Sequence, residues 1–174
     1  FSALFIGLLL LSILTITLIN GLFLEKYYVS KKVDVLLNAR SVLAQMNLDD
    51  LLEYDKDSSQ NTSDTKENIP DEIERSSSRN NLTWIVVNEE NSGYFFWGEN
   101  NMSKMLRSKL FGYINNLDQD MEKSHIIKKM NNCVIWQVHD RFAGMEYVEC
   151  WGRFDNGYYF LIRSPLESIR ESAD

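Results

Sequence analysis

The chain opens on an apolar run, Phe1 to Leu24, that carries no charged residue and whose polar interruptions are Ser2, Ser12, Thr15, Thr17 and Asn20. A helix of about 20 apolar residues crosses the hydrocarbon core of a bilayer. Ser and Thr are tolerated in such a helix because their hydroxyls return to its own carbonyls. The run exceeds the apolar region of a secretory leader, and no small-residue cleavage pattern follows Gly21. Residues 1–24 therefore read as a transmembrane helix in contact with membrane lipid.

From Glu25 to Tyr54 there is neither proline nor glycine. Val29, Val33, Leu36, Leu37, Leu43, Ala44, Leu48 and Leu51 recur at helical spacing, and Tyr28, Val35, Ala39, Val42 and Met46 form a second stripe. The pattern predicts a long membrane-proximal helix over 25–54, apolar over an arc wide enough for two partners. Continued from the span, it makes a rod of roughly 80 Å at 1.5 Å per residue. Asp55 to Asn81 is polar, with Ile69 and Ile73 as its large apolar residues. It reads as a surface loop over 55–68, then a short helix over Pro70 to Arg79 with the proline in its first turn.

Beyond Asn81 the pattern becomes that of strands. Leu82 to Asn88 and Tyr94 to Trp97 predict two of them, and Cys133 to Asp140, Met145 to Phe154 and Gly157 to Arg163 three more. Between the two sets, Asn101 is placed to cap a helix from Met102 to Asn115. Asp155-Asn156-Gly157-Tyr158 carries the Asn-Gly pair of a type I′ turn. A closing helix is predicted from Pro165. The fold class is α+β: a five-stranded antiparallel sheet, covered on one face by the long helix and on the other by the inner helix. Trp84, Val86, Ile135, Val138, Val148 and Leu161 are its predicted core.

Composition narrows the function. A formal charge of −7 over 174 residues argues against nucleic acid, which needs a basic surface to displace counterions. Two cysteines are too few for a disulfide-stapled module. With two histidines besides, the chain offers no convincing metal or nucleophile site, no Gly-rich phosphate loop and no cofactor motif. If Arg141 to Gly144 is a turn, Asp140 faces Met145, and Cys133 and Cys150 share a sheet face diagonally. Two free buried thiols are then the simpler reading and a Cys133–Cys150 disulfide the alternative. The same register, carried through a type I′ turn, gathers Trp136, Tyr147, Glu149, Trp151, Arg153, Tyr158, Phe160 and Ile162 on one face. These are core residues with charges at the rim, or else a small-molecule pocket. In the second case Trp136, Tyr147, Glu149, Trp151, Arg153 and Tyr158 are the candidate ligand residues, with Glu149 or Arg153 orienting a charged ligand.

The order of elements resembles the PAS-like, Cache-type extracytoplasmic sensor domains of bacterial receptors. Phe23-Leu24-Glu25-Lys26-Tyr27-Tyr28 resembles the exit of the first transmembrane helix in sensor histidine kinases of low-GC Gram-positive bacteria. Gly157-Tyr158-Tyr159-Phe160-Leu161-Ile162-Arg163-Ser164-Pro165-Leu166-Glu167-Ser168-Ile169 resembles their last sensor strand and the helix entering a second span. Lys26, Lys31, Lys32 and Arg40 leave the orientation open by charge; the resemblance implies an outward-facing domain. It also implies an organisation of residues 1–24 as anchor, 25–54 as long helix, 55–164 as sensor and 165–174 as the approach to a second span. A HAMP linker and a histidine kinase core would follow, with a homodimer, a cytoplasmic response regulator and a small ligand or protein stimulus as partners. No catalytic residue lies in this chain. The same input module serves chemoreceptors and cyclases, and a membrane-anchored surface protein without signalling output is the reading from another class.

Overall fold

Helix α1 spans Ser2–Gln45, 44 residues with no proline to interrupt its hydrogen bonds. The computed structural model describes residues 2–48, 71–88, 93–99, 102–117 and 124–166. The chain divides into two compact units, Phe1–Lys32 and Val33–Asp174.

In the first unit α1 exposes Phe5, Ile6, Ile13, Leu14, Ile16 and Leu18, and also the four consecutive residues Leu8, Leu9, Leu10 and Leu11. Neighbouring residues on a helix lie 100° apart, so four in succession put apolar surface on every side. Ser12 donates to the Leu9 carbonyl, Thr15 to that of Leu11 and Thr17 to that of Ile13, at 2.8, 2.8 and 2.9 Å. The described side chains of this stretch run from Phe5 to Leu18, about 14 residues against the ~20 that a span takes. Among the described residues no helix is long and apolar enough to cross a membrane.

The second unit is α+β. A six-stranded antiparallel sheet has the order β2-β1-β6-β5-β4-β3, with β1 Thr83–Val87, β2 Tyr94–Trp97, β3 His125–Lys129, β4 Cys133–Asp140, β5 Met145–Arg153 and β6 Tyr159–Pro165. Among the described residues, helices α2 (Asp71–Asn80) and α3 (Ser103–Ile114) accompany it. The sheet has one strand more than the five predicted. The addition, β3, escaped prediction because it is an edge strand, mostly exposed, whose Lys128 and Lys129 interrupt any apolar alternation. Charge of that kind on an edge strand deters pairing with other chains.

Both short helices stop by the same device. Asn81 (φ 52°) and Asn116 (φ 55°) adopt the left-handed conformation. Leu82 N–H then donates to the Ser77 carbonyl and Leu117 N–H to that of Gly112, each at 2.8 Å, which satisfies carbonyls the helix ends leave open. Met102, not Asn101, holds the N-cap position of α3, with no side-chain cap bond. Asn101 lies outside the described residues, as do the predicted loop 55–68, Pro70, 49–54 of the long helix and 167–174 of the closing helix. Pro165, the predicted start of that helix, instead ends β6, opposite Tyr147.

Every residue of the predicted core is buried: Trp84, Val86, Ile135, Val138, Val148 and Leu161. One face of the sheet presents Ile85, Val87, Trp136, Val138, Tyr147 and Leu161 to Leu106, Leu110 and Tyr113 of α3. On the opposite face lie Trp84, Phe160, Ile162 and Cys150, related by register. Here Trp84 donates its indole N–H to Ser77 of α2 at 3.0 Å, and Arg40 of α1 lies over the Phe160 ring at 5.7 Å. Val33, Leu36, Ala39 and Leu43 form the buried stripe of this part of α1, while Val35, Leu37, Val42 and Met46 are half-buried.

The turn between β5 and β6 departs from expectation. Phe154 N–H donates to the Tyr158 carbonyl at 2.8 Å and Gly157 N–H to the Phe154 carbonyl at 3.0 Å. Only Gly157 has a positive φ, 94°. This is a three-residue loop with a glycine bulge and not the two-residue type I′ turn. Arg153 therefore faces Tyr159, one residue out of the predicted register, and a one-residue slip turns every side chain of a strand to the other face. Tyr158, Phe160 and Ile162 thus lie across the sheet from Trp136, Tyr147, Glu149, Trp151 and Arg153. The β4–β5 register, Asp140 facing Met145 and Cys133 facing Gly152, is as predicted.

This geometry gives an asymmetric expectation for the hairpin. Gly157→Ala places a Cβ at positive φ and should cost about 1–2 kcal/mol, whereas Asn156→Ala should cost less than about 0.5 kcal/mol. Urea denaturation of the two variants measures both; equal losses would restore the type I′ turn. Val148→Asp should abolish cooperative melting, because an unpaired carboxylate cannot be buried cheaply.

Candidate functional site

Four charged side chains meet on the α3 face of the sheet. Lys109 comes from the middle of α3, Asp140 from the last residue of β4, Glu149 from the centre of β5 and Arg163 from β6. Arg163 faces Glu149 across the β5–β6 pair, and Glu149 faces Trp136 across β4–β5, so the sheet register alone puts these three side by side. All four charged residues are buried.

The bonds among them are short. Arg163 Nη1 lies 2.6 Å from Asp140 Oδ2 and 3.8 Å from Glu149 Oε1. Lys109 Nζ reaches both carboxylates, at 3.3 Å from Asp140 Oδ2 and 3.1 Å from Glu149 Oε1. Glu149 Oε2 accepts the Tyr113 hydroxyl at 2.6 Å and the Trp136 indole N–H at 3.2 Å. Asp140 Oδ1 accepts the Phe142 and Ala143 N–H groups at 2.9 and 3.1 Å, so the same carboxylate shapes the turn after β4. The Arg163 guanidinium rests on the Tyr147 ring, 4.1 Å from its centre. Two cations and two anions cancel, which is how a buried charge is tolerated.

Burial tends to raise the Asp140 carboxyl, but the Lys109 charge, the Ala143 N–H and Arg163 together outweigh it and hold that carboxyl below the usual range. The Tyr147 hydroxyl is pushed up, first by burial and then by the Asp140 and Glu149 charges against those of Arg163 and Lys109. Arg163 Nε and Nη2 and the Trp151 indole N–H are buried without a hydrogen-bond partner.

An aromatic cluster adjoins the charges. Tyr113 meets Trp136 edge-on at 4.7 Å and Trp151 at 5.5 Å, and the two tryptophans are 5.7 Å apart. Past Trp151 an open groove of about 600 Å³ runs along the Lys129 to Val134 segment and the far end of β5, lined by Trp151, Arg153 and Tyr159 among others. Arg153 stacks on Tyr159 there, at 5.4 Å.

The chain matches no family model, no curated protein and no solved structure.

Of the candidate ligand residues, Trp136, Tyr147, Glu149, Trp151 and Arg153 do share one face. Trp136, Tyr147 and Glu149 are buried under α3, where Glu149 Oε2 accepts from Tyr113 and Trp136 and Oε1 pairs with Lys109 but accepts no hydrogen bond; Trp151 and Arg153 reach the groove; Tyr158 is on the other face. His139 is exposed beside Glu146, at 3.1 Å, and among the described residues no group of three or more His, Cys, Asp or Glu side chains could hold a metal. The arrangement under α3 works as a clamp. Sequence reasoning missed Lys109, Asp140 and Arg163. Arg163 was visible as the one charge inside the run Tyr159–Pro165, but the one-residue error in register separated it from Glu149.

Asp140 sets the acid limit. Its folded carboxyl titrates below its unfolded one, so its contribution is fully present above the unfolded value of about 4 and is lost as pH falls from there through the folded value. Asp140→Asn leaves two buried cations against one anion and should cost about 3–5 kcal/mol at neutral pH. It should also flatten the loss of stability between about pH 5 and pH 3. Urea melts across that range measure both effects.

Proposed function

We propose that this chain is the membrane anchor and extracytoplasmic signal-input region of a bacterial receptor, with a cytoplasmic histidine kinase as its output. The observation that carries the reading is the division of labour along α1. Phe5 to Leu18 expose apolar side chains on every side, which suits lipid and not water. From Val33 onward the same helix instead buries a single stripe, Val33, Leu36, Ala39 and Leu43. The hydroxyls of Ser12, Thr15 and Thr17, turned back on carbonyls of their own helix, suit a bilayer that offers them no other partner. Counted on the sequence, the uncharged stretch from Phe1 to Leu24 is long enough to span.

The α+β architecture fits a PAS-like sensor. Its sheet carries α1 on one face and the clamped helix α3 on the other, so that a change in the packing of α3 is passed through a shared sheet. A stimulus acts on such an equilibrium only through its differential affinity for the two packings. The half-buried residues Val35, Leu37, Val42 and Met46 leave α1 an apolar edge for a second copy of the chain.

A reporter enzyme that works only outside the cytoplasm, fused after Asn88, tests the placement. Activity in intact cells is expected; activity confined to a cytoplasmic reporter at the same point would overturn it. Transmission is tested by Val33→Pro in the full-length receptor. Val33 opens the buried stripe, and a proline there removes a backbone hydrogen bond and kinks the helix at a cost of about 3 kcal/mol or more. Autophosphorylation in membrane vesicles should lose its response to the stimulus and keep its basal rate. A full response would show that the signal does not run through α1.

A further inference from the structure

The sheet face under α1 holds a pair of thiols that the clamp leaves unused. Cys133 opens β4 and Cys150 sits in the middle of β5, and both are free and buried. Cys133 faces Gly152 and Cys150 faces Ile135, so the two are diagonal neighbours on one face. Gly152 matters here. A Cβ on it would run into the Asn132 carbonyl oxygen and the Cys133 Cα, so no larger residue fits. The position opposite Cys133 therefore has no side chain, which frees its sulfur to lean along the strand toward Cys150.

We propose that Cys133 and Cys150 are a peroxide-sensitive thiol pair, with Cys133 as the attacking thiolate, Cys150 as the resolving thiol and Arg40 of α1 as the cation that holds the developing anion. Three features support the assignment. Cys133 is the first residue of its strand, next to the exposed residues Asn131 and Asn132, and it lies along the groove, whereas Cys150 is completely covered. Arg40 Nε is buried without a hydrogen-bond partner, and its guanidinium stands over Phe160, which faces Gly152 on the far side from Cys133 in the same cross-strand row. The Cys133 thiol is lowered to about 7, first by the hydrogen bond from Cys150 and then, against burial, by the charges of Arg40 and Lys128. The Cys150 thiol is pushed up by that same bond and by burial.

The chemistry balances. The Cys133 thiolate attacks one peroxide oxygen; the O–O bond breaks, hydroxide leaves and takes a proton as water, and Cys133 becomes a sulfenic acid. Cys150 then attacks the Cys133 sulfur; the S–S bond forms, the S–O bond breaks, and a second water departs with the Cys150 proton. Two thiols are oxidised to a disulfide and one hydrogen peroxide is reduced to two waters. Diagonal sheet neighbours lie about 7–8 Å apart at Cα, while a disulfide takes at most about 6.8 Å. Closing the bond therefore draws β4 against β5, the strand that pairs with β6 where Arg40 lies over Phe160. A bond formed against such resistance is readily reduced again. The proposal is independent of the receptor reading.

The test uses the purified full chain treated with hydrogen peroxide. A sulfenic-acid-specific dione and thiol alkylation after denaturation are read by peptide mass. The wild type should form an intramolecular Cys133–Cys150 link that dithiothreitol reverses. Cys150→Ala should stop at a dione adduct on Cys133, and Cys133→Ala should leave Cys150 unmodified. Arg40→Gln should slow Cys133 oxidation by about three- to tenfold, through its smaller thiolate fraction, with an unchanged far-ultraviolet circular dichroism spectrum. Failure of the wild type to oxidise, at peroxide levels that oxidise a free cysteine peptide, would overturn the proposal. So would equal reactivity of Cys150 in Cys133→Ala. An unaltered rate in a folded Arg40→Gln would remove Arg40 from it.

Discussion

Lys109 of α3 reaches into the sheet between two carboxylates, Asp140 and Glu149, that a buried arginine, Arg163, already neutralises in part. Much of the unit's geometry depends on that contact. It ties the middle of α3 to Asp140 of β4 and Glu149 of β5. Through the other oxygen of Asp140 it holds the turn after β4. Through Glu149 it orients Tyr113 and Trp136, and these in turn set the edge-on packing of the aromatic cluster. Four well-packed apolar side chains in the same places would hold the domain about as firmly or more so. The charges therefore contribute position more than net stability: a helix set by directional bonds has one register, where a greasy contact would tolerate several.

The two faces of the sheet are built differently. Under α3 the contacts are charged and directional. On the other face lie Phe160, Ile162 and Cys150, with Arg40 of α1 over the Phe160 ring. β6 joins the two systems. All five residues from Phe160 to Ser164 are buried, and they alternate between the faces, Phe160, Ile162 and Ser164 to one and Leu161 and Arg163 to the other. A shift of this strand cannot be absorbed by solvent on either side, so a repacking at one face must be felt at the other.

Much of this was legible in the residues. Apolar runs bounded by turn residues located five strands, and the choice of an antiparallel sheet between helices followed from strands without a polar face. The Arg141–Gly144 turn gave the β4–β5 register in full. What failed has a local cause in each case. His125–Lys129 pairs through its backbone at the sheet edge, and edge pairing leaves no apolar signature. The Asn156-Gly157 dipeptide serves two turn types. Only the backbone shows that Asn156 stays at negative φ and Gly157 alone goes positive, and that difference moved β6 by one residue. The site suffered most, because a buried charge cluster is made by pairing across strands and a wrong register dissolves it. Nothing in the sequence neighbours of Lys109 says that two carboxylates wait beneath it.

Directional charge contacts, and not general apolar packing, set α3 on the sheet. Native-state hydrogen exchange on Glu149→Gln tests it most directly, since the substitution keeps the shape of the side chain and removes its charge. The account predicts that the amides of Leu106 to Tyr113 in α3 lose protection while those of β1 and β6 keep theirs, because local opening of the helix then precedes global unfolding. Unchanged protection across α3, or an equal loss in helix and strands, would contradict it.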